Sequence, residues 1–288
     1  MKQTRFTIAV VASGILWGII SIFIRGMNSA NLTPVQMLQM RTLFAAIIMF
    51  IFILWVDKEQ LKLDLHDIWM FLGSGVVSLT FFSLCYFQTI LEVGASVAVI
   101  LLYTSPIFII LLAFLLFKEK ITPVKITALV MTFAGCILVS GIGSGNGAMT
   151  LKGFLIGLGS GFGYGLYSIF SRFALRKYSA LTITFYTFLF SCLSVIPFSG
   201  IGQMMSGFQI SSLLYGIGIA FFCTVLPYIL YTYGMTRIET GKAAILVTVE
   251  PLVGTLAGCC LWGESMTIVK AAGIFLIFSA VILLGIKK

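Results

Sequence analysis

The residue whose position most directly suggests chemistry is Glu250, which lies in an otherwise uncharged run from residue 243 to residue 262. It falls near the middle of a predicted apolar helix, where a charge costs roughly 2.5–3.5 kcal/mol on insertion scales. Three arrangements compensate such a cost: protonation of Glu250, a permanent ion pair with Arg41, or a hydrated cavity in which the carboxylate meets a substrate amine or a coupling proton. Pro251 adds local polarity, because it leaves a carbonyl one turn earlier without its helical partner.

The other candidate binding residues are polar or aromatic and also fall inside apolar stretches. Arg41, with Gln39 nearby, lies one to two turns into a predicted helix and can snorkel outward or bind a carboxylate. Trp and Tyr suit a cavity for amphipathic solutes, although interfacial anchoring and core packing are alternatives. The predicted substrate-binding residues are Trp17, Gln39, Arg41, Tyr86, Tyr103, Tyr164, Tyr167 and Glu250.

The residue types present exclude most enzymatic chemistry. The six cysteines lie in apolar segments without metal-site spacing, and we interpret them as packing residues. The single histidine, His66, lies in a polar stretch, so a buried His triad or a multi-His metal site is excluded. No Lys or Asp falls inside a predicted span, which makes a membrane-embedded enzyme a remote alternative. We predict neither catalytic residues nor a metal or cofactor.

The elements that must position these residues are apolar helices. Of 288 residues, 60% are hydrophobic and 9% are charged, and the mean hydropathy is +1.12, which is untypical of a soluble domain. A bilayer core of roughly 30 Å needs about 20 helical residues, and the apolar stretches, two of which contain Arg41 or Glu250, provide ten such helices. The first stretch resembles a signal peptide, but many similar runs follow, so we interpret it as a helix. The sequence therefore predicts an all-α integral membrane protein with ten transmembrane helices.

The distribution of Lys and Arg predicts the orientation, because these residues accumulate in cytoplasmic loops. With the amino terminus inside, fourteen of them fall on the cytoplasmic side. The other side receives Arg25, Lys152 and Lys270 alone. We therefore predict that both termini are cytoplasmic. The net charge of +9 belongs to loops and makes no basic face, so no nucleic-acid partner is predicted.

The two halves of the chain repeat each other. At an offset of 147, seven of the thirteen residues from Ser13 to Arg25 are identical to those from Ser160 to Arg172. Five helices are an odd number, so the second repeat enters the membrane from the opposite side. The sequence predicts one membrane domain built from two inverted five-helix repeats, residues 1–143 and 148–288.

A second match, at an offset of 145, pairs Pro106 with Pro251 and Glu119 with Glu264. We predict that the two prolines mark helix breaks used in gating. The two glutamates end helices at opposite surfaces and are predicted to have a structural role, pairing with helix-end groups. The glycines at four-residue spacing in each repeat, Gly14 and Gly18 or Gly157, Gly161 and Gly165, are interpreted as a packing surface rather than a nucleotide loop.

These residues resemble the drug/metabolite transporter superfamily, specifically its EamA-type ten-helix branch. The matching motifs are Trp17-Gly18, Arg41, the run from Gly94-Ala95 through Pro106 to Glu119, and the run from Gly241 through Glu250-Pro251 to Gly263-Glu264. The resemblance covers essentially the whole chain. It implies export of small polar metabolites, typically amino acids, by alternating access in a bacterial inner membrane. The four-helix multidrug branch uses a glutamate in its first helix, where this chain has Trp17.

We therefore expect a multi-pass transporter of the cell membrane that exports small, zwitterionic metabolites. Its expected partners are the substrate, the lipid bilayer and either a coupling proton or a counter-substrate, and the protein is expected to be a monomer or a homodimer. The alternative is another solute class, such as cationic drugs, nucleotide sugars or sugar phosphates. A channel is a more remote alternative, as is a membrane-embedded enzyme.

Overall fold

The computed structural model describes residues 4–28, 32–140, 150–200, 210–263 and 265–286, and all regular structure in these ranges is helical. We group the helices into ten segments. They are α1 (Thr4–Gly18 and Ile20–Asn28), α2 (Pro34–Val56), α3 (Ile68–Leu72, Gly73–Thr80 and Phe81–Val93), α4 (Ala95–Leu102 and Ser105–Phe117), α5 (Pro123–Ser140), α6 (Leu151–Ala174), α7 (Ala180–Ser199), α8 (Ile210–Ala220, Phe221–Val225 and Leu226–Met235), α9 (Thr240–Leu246 and Val249–Trp262) and α10 (Ile268–Ile286).

Eight of these segments, within the described ranges, are long and apolar enough to cross a membrane. The remaining two, α5 and α10, are apolar but shorter. Large side chains such as Trp55, which is 84% exposed, point outward from the bundle as lipid-facing side chains do. The chain is therefore an all-helical, multi-pass membrane protein.

Hydroxyl side chains fix where the second helix of each half begins. Thr33 accepts a hydrogen bond from the Gln36 backbone N–H at 3.3 Å, and the Gln36 side chain accepts one from the Thr33 N–H at 2.9 Å, forming a capping box before α2. Ser179 similarly accepts a hydrogen bond from the Thr182 backbone N–H at 3.2 Å before α7. The equivalent helices of the two halves therefore begin with the same kind of cap.

Two segments are interrupted just before a proline. In α4 the helix breaks at Tyr103 and Thr104, close to Pro106, and in α9 it breaks at residues 247–248, close to Pro251. A proline has no N–H for the carbonyl four residues earlier, so the regular α-helical bond is missing at each break, and in α9 the Val247 carbonyl instead accepts a 3.1 Å hydrogen bond from the Glu250 N–H. The interruptions bring polar backbone groups into the middle of the bundle.

Two glycines allow close contact with these interrupted segments. A Cβ at Gly14 of α1 would lie 2.6 Å from the Val247 carbonyl oxygen of α9, and a Cβ at Gly161 of α6 would lie 2.6 Å from the Leu101 carbonyl oxygen of α4. Both distances are far below a normal contact, so any side chain would force the helices apart. The interpretation of the glycine stripes as packing surfaces is confirmed at these positions.

Most of the close packing joins the first half of the chain to the second. Segment α1 packs along α8, α2 along α7, α3 along α6, and α5 along α10. The two interrupted segments lie against the glycine-bearing helices, α4 against α6 and α9 against α1. The centre of the molecule is consequently an interface between the halves, and it holds the candidate site.

Candidate functional site

A small cavity lies where α1, α3, α4, α6, α8 and α9 meet. Its volume is about 20 Å³, which holds about one water molecule. Both helix breaks reach it, through Tyr103 and Pro106 of α4 and through Thr248 of α9. Its aromatic lining consists of Trp17, Phe82, Tyr103, Tyr164, Tyr167, Tyr228 and Tyr231.

The aromatic rings hold one another in fixed orientations. The ring centroids of Trp17 and Tyr228 are 5.1 Å apart and their planes are nearly perpendicular. The ring centroids of Tyr167 and Tyr228 are 4.8 Å apart. Such edge-to-face pairs contribute about 0.5–1.5 kcal/mol each beyond burial. Tyr167 shares a hydrogen bond with Thr232 at 2.6 Å, and Tyr231 shares one with Ser168 at 2.8 Å. These two hydroxyl groups are therefore engaged within the wall.

Glu250 lies beside the cavity rather than in its lining, in the first turn of the second helix of α9, Val249–Trp262. The hydroxyl groups of Tyr103 and Tyr164, which do line the cavity, are close enough to interact with its carboxylate. Because these tyrosines belong to α4 and α6, Glu250 faces the interior of the bundle and not lipid. The residue as a whole is nevertheless partly exposed.

Arg41 approaches the cavity from another direction. Its Nε donates a 2.7 Å hydrogen bond to the Thr224 hydroxyl oxygen of α8, and its guanidinium lies within reach of the Tyr228 hydroxyl. Arg41 and Glu250 interact as opposite charges across the site, but no direct ion pair joins these two described residues. Neither charged residue lines the cavity: Glu250 is connected to it through Tyr103 and Tyr164, and Arg41 through Tyr228.

The other predicted binding residues are placed differently. Gln39 is 1% exposed, its amide nitrogen donates to the Cys192 sulfur at 3.2 Å, and it does not line the cavity. Its amide oxygen is buried without a hydrogen-bond partner. Tyr86 also lies outside the lining, although it is close enough to Glu250 to interact electrostatically. A substrate contact at Gln39 or Tyr86 stays a prediction.

The carboxylate of Glu119 holds the start of α9. Its two oxygens accept hydrogen bonds from the backbone N–H groups of Thr240 and Gly241, at 2.7 and 3.1 Å. These are the first N–H groups of a helix, which have no partner within it and which favour a negative charge. Glu119 therefore joins the end of α4 to the start of α9. Glu264, its sequence counterpart, lies outside the described residues.

Two residues of the site carry no recognisable sequence signal: Thr224 and Tyr228, both in α8. A threonine or tyrosine in an apolar helix usually packs or bonds its own backbone, so type and position alone do not select these residues. They are selected by α8 packing against α1 and α2, which brings them to Trp17 and Arg41.

Comparison with known proteins agrees with an all-helical membrane fold. The model of the EamA-like transporter family matches this chain twice, at residues 5–141 and at residues 151–286. The chain therefore belongs to the EamA-like transporter family. The predictions of a multi-pass membrane protein, of this family and of a transporter rather than an enzyme are confirmed.

Individual relatives give the same class of protein without naming a solute. An uncharacterized transporter of Archaeoglobus fulgidus is 28% identical over 275 residues, covering 96% of this chain and 94% of the relative. The uncharacterized transporter YxxF of Bacillus subtilis is 23% identical over 297 residues, covering 100% and 91%. A solved crystal structure with 16% sequence identity superposes with a TM-score of 0.80, covering 96% of this chain and 95% of that chain, which supports the fold.

Proposed function

We propose that this protein is a secondary transporter that exports small zwitterionic metabolites, such as amino acids, by alternating access. The observation that carries the proposal is the aromatic cavity between the halves, beside which an acid, Glu250, and a base, Arg41, each lie within reach of tyrosines of its wall. Glu250 would receive the substrate ammonium group, Arg41 would receive its carboxylate, and the ring of Trp17 would contact its apolar part. Such a site fits a dipolar solute better than a solute of one charge.

The packing supports an architecture of two inverted repeats, residues 1–143 and 148–288. The first helix of each half packs against the fourth helix of the other half: α1 packs against α9, and α6 packs against α4. Both fourth helices are interrupted near a proline, Pro106 or Pro251. With ten crossings and both termini in the cytoplasm, the repeats run in opposite directions, which provides two equivalent states that open to opposite sides.

Solute movement requires the cavity to enlarge, since 20 Å³ is far below the volume of an amino acid. The breaks in α4 and α9 are suitable hinges, because two residues in each lack regular helical geometry and each break contributes to the cavity lining, through Tyr103 in α4 and through Val247 and Thr248 in α9. Pro106 and Pro251 would then act in gating by keeping these breaks in place. The carboxylate of Glu250 is also the candidate carrier of a coupling proton.

The proposal predicts that Glu250→Gln lowers amino-acid flux by about 10- to 100-fold, because a charge-assisted hydrogen bond contributes about 1.5–3 kcal/mol. The measurement is uptake of each of the twenty labelled amino acids into proteoliposomes containing the purified protein. Glu59→Gln is the matched control, since Glu59 is exposed and its partner in an ion pair is the neighbouring Lys62. The control is expected to transport as the wild type does.

Other outcomes contradict the proposal in distinct ways. Wild-type flux by Glu250→Gln would remove Glu250 from the binding site. Flux of amines or of sugar phosphates, in place of amino acids, would replace the substrate class and leave the membrane transporter intact. A unitary conductance in planar bilayers would indicate a channel and overturn alternating access.

A further inference from the structure

Segments α3 and α8, the third helices of the two halves, both contain a π-helical stretch, at Gly73–Thr80 and Phe221–Val225. In each stretch a threonine donates its hydroxyl to the carbonyl five residues earlier, Thr80 to Gly75 at 3.2 Å and Thr224 to Ile219 at 2.9 Å. Isolated π-helical turns are rare and frequently occur at functional sites. The two halves therefore share this local structure.

The partners of the two threonines differ between the halves. The Thr80 hydroxyl meets two further hydroxyls, those of Ser191 at 2.9 Å and Ser194 at 2.7 Å. The Thr224 hydroxyl instead accepts the 2.7 Å hydrogen bond from Arg41 Nε. Thr224 is 0% exposed, so its bonds are not exchanged for bonds to solvent. In the first half the threonine of the π-helical stretch bonds serine hydroxyls of α7, and in the second half it bonds the charged side chain of Arg41.

The bond to Thr224 determines how Arg41 can be used. A guanidinium is planar and has five N–H groups, of which Nε contributes one. When Nε is fixed by a buried hydroxyl that is itself tied to the backbone, the plane of the guanidinium is set. The four N–H groups of the two terminal nitrogens are not used by this bond, and their arrangement matches a carboxylate.

We infer that Thr224 is a positioning residue that orients Arg41 for the carboxylate of the substrate and so gives the site its preference for zwitterions over amines. The inference rests on the proposed function. The Thr224 hydroxyl donates to the Ile219 carbonyl, which leaves its oxygen lone pairs directed to Arg41. Without this acceptor Arg41 keeps its charge but loses the hydrogen bond that fixes its Nε.

The experiment measures binding by isothermal titration calorimetry on the purified full chain. The probes are L-leucine and L-phenylalanine, together with isopentylamine and phenethylamine, which are the same molecules without the carboxylate. Thr224→Val is expected to weaken binding of the amino acids about tenfold and to leave binding of the amines within about twofold, since only the carboxylate depends on Arg41. Thr224→Ser retains the hydroxyl and is expected to restore the amino-acid affinity.

Thr80→Val is the matched control, because it removes the same kind of turn-closing hydroxyl where no arginine is bound. We expect it to leave the ratio of amino-acid to amine affinity unchanged. A double-mutant cycle adds a second readout: in an Arg41→Ala background, Thr224→Val should have no further effect on amino-acid binding. Size-exclusion profiles and thermal unfolding verify that each variant is folded.

The outcomes separate this inference from the proposed function. If Thr224→Val weakens amino acids and amines equally, or weakens neither, Thr224 is only a structural residue and the inference is overturned. If Arg41→Ala selectively weakens the amino acids but Thr224→Val does not, the inference fails and the proposed function stands. If the wild type binds neither amino acid, the inference fails, and the proposed function fails with it when none of the twenty amino acids is transported.

Discussion

Two ionisable side chains inside this bundle, Arg41 and Glu119, form hydrogen bonds with polar groups of the other half of the chain. Arg41 bonds Thr224, and Glu119 bonds the backbone of Thr240 and Gly241. A charge buried without such partners would cost several kcal/mol. Each of these residues therefore links the two halves, in addition to any role in binding.

Removing the Glu119 carboxylate tests its structural role. Glu119→Ala leaves two buried backbone N–H groups at the start of α9 without an acceptor, so we expect a loss of about 1–3 kcal/mol of stability. Glu119→Gln retains one acceptor oxygen and should lose less. The thermal unfolding midpoint in detergent is the measurement, and an alanine variant as stable as the wild type would show that the cap contributes nothing.

The candidate site could be predicted in part, and helical geometry explains why Gln39 and Arg41 have different partners. Arg41 and Gln39 are two residues apart, so their side chains leave α2 on different faces. Arg41 faces α8, and Gln39 faces Cys192 of α7. Composition marks polar residues in apolar helices, but the direction each takes depends on which helices pack against it.

At the scale of elements, the helices follow directly from the uncharged runs, whereas the two π-helical stretches do not. The run from residue 68 to residue 91 predicts one helix, which the structure divides at Gly73–Thr80. The π turns depend on long-range bonds such as that of Ser78 to the Gly163 carbonyl, at 2.7 Å, which no local pattern encodes. The interruptions near Pro106 and Pro251, in contrast, have a local cause in the missing N–H.

The contact between α6 and α4 gives a prediction for the glycine stripe. Gly161→Ala places a Cβ 2.6 Å from the Leu101 carbonyl oxygen and 2.5 Å from the Thr104 hydroxyl oxygen, so we expect about 1–3 kcal/mol of destabilisation and lower flux. Gly159 is the matched control two residues away, where the nearest atom to a Cβ would be 3.8 Å distant. Thermal unfolding and flux should change at residue 161 and not at residue 159. Equal effects at both positions would contradict the packing explanation.

At the scale of the whole molecule, a second set of contacts joins the halves at the surface. Lys177 donates to Asp64 at 2.9 Å and to Asp67 at 2.6 Å, and the Tyr178 hydroxyl donates to Asp67 at 2.6 Å. These contacts connect the loop before α3 to the connection between α6 and α7. We call Asp64, Asp67, Lys177 and Tyr178 the surface clamp.

The surface clamp makes stability depend on pH. The hydrogen bond from Lys177 lowers the pKa of Asp64, and the bonds to Asp67 and then Asp64 raise the pKa of Lys177. A lowered carboxyl pKa gives stability that is complete above the unfolded value and lost as the pH falls through the folded value. The raised Lys177 pKa gives stability that is lost only as the pH rises through its folded value. The clamp is therefore intact at neutral pH and weakens in acid.

Lys177→Met tests the clamp. We expect its unfolding midpoint to lie below that of the wild type at pH 7, by a small amount because the groups are exposed, with a difference that shrinks as the pH falls to 3 or the salt rises to about 1 M. Lys62→Met, which removes only an ion pair to Glu59 in the same loop, is the control. A difference that does not vary with pH or salt would exclude an electrostatic clamp.

The bond between Arg41 and Thr224 spans 183 positions of the chain, and this separation affects how the protein is made. Synthesis proceeds at about 5–20 residues per second, so Thr224 follows Arg41 by roughly 10–40 s. During that interval the α2 helix is already available for insertion, while the hydroxyl that holds its arginine does not exist. Arg41, the charged residue inside α2, therefore cannot form its hydrogen bond to Thr224 until most of the second half has been synthesised.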